Sequence, residues 1–158
     1  MRLFWFGLLV VLVVFLDQAS KLWLMQHFLL YESWTIIPGF FSLTYLTNTG
    51  AAFGLLAGHP AWWRQVFFIG ISVAALVVIV VLHHRLRKNS GLYTLGLGLI
   101  AGGAIGNLMD RIRLGPVVDF LDVYVGSHHW PAFNVADSAI SVGVGLVLVC
   151  SFVLEQKT

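Results

Sequence analysis

Two carboxylates stand out by their surroundings. Asp119 lies in Val117-Val-Asp-Phe120 and Asp137 closes Phe133-Asn-Val-Ala-Asp137, both apolar settings in a chain with only 7 acidic residues. Acids placed for solubility would have polar neighbours. Carboxylates held close together cannot both ionise comfortably, so one keeps its proton. The pair then supplies a base to take a proton from water and an acid to polarise a carbonyl, the minimum equipment for amide hydrolysis without a metal. Asp137 falls in the first turn of an expected helix, where the dipole favours the charged form, so it is expected to be the more readily ionised member.

Three other readings compete. A metal centre would need more oxygen or imidazole ligands; His128 and His129 are near, but their spacing matches no hydrolase metal motif. The neighbouring His83 and His84 diverge on a helix and have no third ligand close by, so they read as part of a basic loop, His83 to Lys88. A proton-coupled membrane carrier would also bury carboxylates, although carrier sites usually lie near the bilayer midplane at broken helices. In a structural scaffold, both acids would only cap or pair. Pattern alone does not choose Asp119 over Asp122.

The elements that position these acids are spans. The chain has 158 residues, 59% of them hydrophobic and 10% charged, against roughly 25% charged in soluble domains. With a mean hydropathy of +0.90 it reads as one integral membrane domain, residues 1–158. A net charge of +2 with scattered basic residues argues against nucleic acid as a partner. The one cysteine, Cys150, excludes an intramolecular disulfide. The apolar run behind Met1-Arg2 could be a signal peptide, but it resumes after Ala19-Ser20 and is long enough to cross about 30 Å of hydrocarbon, so a retained helix is the better reading. Spans are expected at about 3–28, 61–82, 92–112 and 135–154, the second opening on an interfacial Trp62-Trp63 belt.

Between the spans the periodicity changes. Ile37, Phe41, Leu43 and Tyr45 alternate with Ser42 and Thr44 around Pro38-Gly39, which predicts short strands lying on the membrane. Pro116 to Val125 reads as another strand and His128 to Pro131 as an external loop. Asp17 and Lys21 are four residues apart in the first span and therefore share a face, as a helical ion pair would. Gly98, Gly102 and Gly106 form a small-residue face for close helix packing that turns polar at Asn107, Asp110 and Arg111, which either line a site or pair structurally. Ser141 and Gly145 are a second small-residue pair. Asn48 to Gly54 is rich in small residues that let backbone approach a ligand, and the Gly54 to Pro60 segment is a candidate lid. Arg2, Arg85, Arg87, Lys88 and Lys157 fall at the termini and middle loop, so the positive-inside rule places these in the cytoplasm and the two acids at the outer face.

Five segments together carry a resemblance. Asp17-Gln-Ala-Ser-Lys21, Asn48-Thr-Gly-Ala-Ala-Phe53, Gly102-Gly-Ala-Ile-Gly-Asn-Leu-Met-Asp-Arg111, Val117-Val-Asp-Phe120 and Phe133-Asn-Val-Ala-Asp137 resemble, in order, the motifs of lipoprotein signal peptidase, or signal peptidase II. The resemblance implies an α-helical aspartic peptidase of the bacterial cytoplasmic membrane, with four transmembrane helices and a small extracytoplasmic β-rich cradle. It implies Asp119 and Asp137 as the catalytic pair. Asn48, Gly50, Asn107, Asp110, Arg111 and Asn134 would line the substrate pocket, with Asp17 and Lys21 supporting. The implied substrates are diacylglyceryl-modified prolipoproteins cut just before the lipidated cysteine. No metal or cofactor is implied; membrane lipids are the implied surroundings and globomycin the implied inhibitor.

Overall fold

A computed structural model of the chain describes residues 1–50, 62–87 and 90–155, with side chains described to 152. Its elements follow the order α1 (Arg2–His27), β1 (Ser33–Ile37), β2 (Phe41–Asn48), α2 (Trp62–Leu86), α3 (Gly91–Arg113), β3 (Val117–Val125), β4 (His128–His129) and α4 (Val135–Glu155). All four helices are long and apolar enough to cross a membrane. The expected spans are all found, with one extension. α2 runs on through His83 and His84, which were expected in a loop; Arg85 in the last turn suits the C-terminal end of the helix dipole. His83 is buried and stacks on the Phe6 ring at 4.1 Å. The candidate lid at Gly54 to Pro60 lies outside the described residues.

Helix α3 is the hub, and its glycines explain why. A Cβ at Gly98 would meet the side chain of Leu9, one at Gly102 that of Val13 and one at Gly106 that of Asp17, so α1 and α3 run parallel in four-residue steps. On another face, Gly96 and Gly103 press on Gly143 and Ala136 of α4, which runs antiparallel. Lipid tails are as apolar as leucine, so spans associate through such backbone-close packing. The expected Gly145 contact is not made: a Cβ there meets nothing within 4 Å, whereas one at Gly143 would lie 2.6 Å from the Gly96 carbonyl oxygen. Gly143, two residues earlier, points inward; Gly145 is turned away.

Gly115, at φ +92°, ends α3 in the left-handed conformation, its N–H returning to the Asp110 carbonyl, and sends the chain into β3. The antiparallel sheet has the order β1-β2-β3-β4. β4 forms where a loop was expected, as His128 and His129 pair with Val125 and Tyr124 across a turn at Gly126. Between Leu43 and Leu46, strand β2 carries one residue more than β3, a bulge directly beside the Leu46–Asp119 pair. Leu24, Phe28, Val118 and Phe120 form the core that joins the sheet to α1.

Gly103→Ala should drive a methyl group into the Ala136 carbonyl and part α3 from α4. A loss of about 1–3 kcal/mol is expected, read as a lower thermal midpoint in detergent. Gly145→Ala should leave that midpoint unchanged or slightly raised.

Candidate active site

Asn134, fully buried, organises the site. It stands just before α4, and its side-chain oxygen accepts the Asp137 N–H at 2.9 Å while the Asp137 carboxylate accepts the Asn134 N–H at 3.2 Å. This is a reciprocal N-terminal cap, of a kind worth about 1 kcal/mol. The Asn134 amide nitrogen donates to Asp119 Oδ1 at 2.7 Å and to the Val118 carbonyl at 3.1 Å. One side chain therefore ties β3 and α4 together through both acids. Asn107 donates to Asp137 Oδ1 at 2.8 Å.

Asp119 and Asp137 open on one cavity of about 800 Å³ between the sheet and the adjoining ends of α3 and α4. Asn48, Gly50, Asn107 and Arg111 line it, as does the Trp130 to Phe133 segment. Asp110 and Asn134, expected on the cavity wall, are buried behind it. Asp110 does not pair with Arg111: it binds Lys21 at 2.7 Å, while Arg111 donates to the Gly50 carbonyl at 3.0 Å. The Arg111 guanidinium lies 4.4 Å from the Phe68 ring centre, and Gln65 donates to the Arg111 carbonyl. Asn48 spends its side-chain oxygen on the Gly50 N–H, closing a local turn. Asp17 and Lys21 form the expected ion pair at 2.9 Å, both fully sheltered.

Sequence reasoning missed Gln18, which donates to Asp17 at 3.1 Å and Asp110 at 2.9 Å. Its signal was present: a carboxamide in an apolar helix beside an acid. Phe68 offered none, being one apolar residue among many on α2. Asp122 takes a separate place, bonded to His129 Nδ1 at 2.8 Å. Among the described residues no group of three or more His, Cys, Asp or Glu is arranged to hold a metal ion.

Burial pushes the Asp119 carboxyl up to about 7, and the Asp137 carboxylate adds to the rise; hydrogen bonds from Asn134 and Asn48 and the Lys21 ammonium oppose it. Near neutrality Asp119 is therefore poised between acid and base. Asp137 accepts hydrogen bonds from Asn107 and the Asn134 N–H at the N-terminal end of α4. Such a pair can activate water and polarise a carbonyl together.

Four spans, a sheet at one end and a cavity holding two carboxylates are the build of a multi-pass membrane enzyme. A family model described as signal peptidase (SPase) II matches residues 9–153. The chain is 49% identical over 146 residues to a lipoprotein signal peptidase of Syntrophus aciditrophicus (strain SB), covering 92% of this chain and 90% of that one. It is 54% identical over 134 residues to one of Geobacter sulfurreducens (strain ATCC 51573 / DSM 12127 / PCA), covering 85% and 82%. A bacterial membrane enzyme solved by the in meso method at 2.3 Å superposes with a TM-score of 0.80 at 30% identity, over 97% of this chain and 89% of that one. The chain thus belongs to the signal peptidase II family and is a multi-pass bacterial membrane protein.

A carboxyl raised from an unfolded value of about 4 to about 7 stabilises the fold fully below the lower value. That contribution is lost as pH rises through the upper one. The thermal midpoint should therefore fall between about pH 4 and about pH 7, and Asp119→Asn should flatten the slope. An Asp119→Asn curve parallel to the unmodified protein's would assign the slope to other groups.

Proposed function

We propose that this chain removes signal peptides from diacylglyceryl-modified prolipoproteins, with Asp119 and Asp137 as the catalytic pair. The observation that carries the reading is that Asn134 holds both carboxyls on the wall of one cavity. The Asp137 carboxylate takes a proton from water as the hydroxide attacks the carbonyl carbon before the lipidated cysteine. Asp119 gives its proton to the carbonyl oxygen. The tetrahedral intermediate then collapses: Asp137 passes its proton to the leaving cysteine nitrogen, the C–N bond breaks, and Asp119 recovers a proton from the new carboxyl. Asn48, Gly50, Asn107 and Arg111 contact the substrate, whereas Asp110 and Asn134 act from behind the wall.

Arg2, Arg85 and Arg87 gather at the bundle end away from the sheet, where Arg2 donates to the Arg87 carbonyl. The positive-inside rule makes that end cytoplasmic, with both termini, and puts the cavity at the outer face. A lipid-anchored substrate then arrives in the membrane plane beside exposed apolar faces that meet lipid. Residues 1–158 act as one domain. Nothing favours a proton-coupled carrier, since the cavity lies at one end of unbroken helices rather than midway along them.

Asp119→Asn and Asp137→Asn should each lower release of signal peptide from a lipidated precursor at least about 1000-fold, with normal abundance in membranes. Near-normal turnover in either variant would refute the pair. The purified protein should cleave in detergent without a transmembrane gradient, be indifferent to EDTA and be inhibited by globomycin. Inhibition by EDTA reversed by zinc would replace this reading with a metal-dependent one.

A further inference from the structure

We infer that Lys21 is a positioning residue for the peptidase reaction, its ammonium setting where both carboxyls of the pair stand; this rests on Asp119 and Asp137 being that pair. Lys21 is 1% exposed, and Nζ has three partners for its three protons: Asp17 Oδ2 at 2.9 Å, Asp110 Oδ2 at 2.7 Å and Asn107 Oδ1 at 3.0 Å. Each partner leads to the pair. Asp17 Oδ1 accepts the N–H of Ala136 at 3.0 Å, the residue immediately before Asp137. Asp110 Oδ2 accepts the N–H of Val118 at 3.2 Å, the residue immediately before Asp119.

The third route runs through an amide. With the Asn107 oxygen turned toward the ammonium, its NH2 group must face the other way, where it donates to Asp137 Oδ1 at 2.8 Å. Reversing that amide would aim a donor at Lys21 and an acceptor at the carboxylate. The cation, together with the Asn134 amide that donates to the same oxygen at 3.2 Å, thus sets the sense of a hydrogen bond on Asp137, and it also holds two backbone segments. Gln18 bridges the two clamped acids, so their separation is held from both sides. An ion pair serving only to join α1 to α3 would need one acid; a second acid, and neighbouring N–H groups on β3 and α4, are what a positioning device needs.

The test must leave the net charge of the buried cluster unchanged. Lys21→Met with Asp17→Asn removes one charge of each sign, and the carboxamide oxygen introduced on α1 can still accept the Ala136 N–H. On a diacylglyceryl-modified precursor, kcat per folded protein should fall at least about 30-fold with KM within about threefold. Combining this change with Asn107→Ala should cost less than the sum of the two separate losses, because both act in part on the same Asp137 contact. A kcat within about threefold of the unmodified protein, a rise in KM alone, or fully additive losses would each overturn the inference. If the double variant does not accumulate folded, Asp110→Asn carries the test, since it keeps an acceptor for Val118 N–H while loosening Lys21. The same split in kcat and KM is then expected, and an unchanged kcat overturns the inference. Asp119→Asn and Asp137→Asn run in parallel: if they are inactive while the Lys21 variants turn over normally, only this inference fails, and if they are active the pair itself fails.

Discussion

An ammonium and two carboxylates removed from water must satisfy one another, and much of this molecule is arranged so that they do. Desolvation costs several kcal/mol per ion, and only close, well-oriented partners offset it. The distances around Lys21, 2.7 to 3.0 Å, require α1 and α3 to lie nearly backbone to backbone. Gly98, Gly102 and Gly106 supply that closeness, and one turn beyond Gly106 the seam arrives at Asp110. A side chain larger than hydrogen in the seam would separate the charges and leave each facing hydrocarbon. Packing and electrostatics are here a single constraint.

That constraint passes on to the two cavity carboxyls through hydrogen bonds left over from the ion cluster. Gly115 redirects the chain so that Val118 returns over Asp110, and the bulge in β2 sits across from Asp119. Asn134 closes the circuit from the other side, as cap of α4 and as donor to Asp119. Arg111 is braced independently, between the Gly50 carbonyl and the Phe68 ring. The α2 helix thereby reaches the cavity wall.

The spans, their order and the two acids were legible in the sequence because each has a local signature: long apolar runs, a four-residue glycine period, carboxylates in apolar settings. The Asp17–Lys21 pair was legible for the same reason, being i,i+4 on one helix. What was hidden depends on register between distant segments. Nothing local says that Asp110 reaches Lys21 rather than its neighbour Arg111, or that Gly143 rather than Gly145 faces α3. The choice between Asp119 and Asp122 needed the family resemblance, and the geometry gives them different company: Asp119 bonds Asn134 and Asp122 bonds His129. β4 was missed because a two-residue strand has no periodicity of its own. The alternation in β2 was visible, and Leu43 and Tyr45 do pack on the core; that Ser42 and Thr44 on the other side would also be buried was not, since their cover comes from Tyr124 and Ser33 on neighbouring strands.

The parallel stepping of α1 along α3 has a consequence for the chain as a whole. Leu9, Val13, Asp17 and Lys21 meet Gly98, Gly102, Gly106 and Asp110 like teeth in matching gears. Adding or deleting one residue midway along α1 would rotate everything after it by about 100° and carry the lysine off its mark, however greasy the new helix remained. The first span is therefore no interchangeable tether; its reading frame against a distant helix is part of the machine.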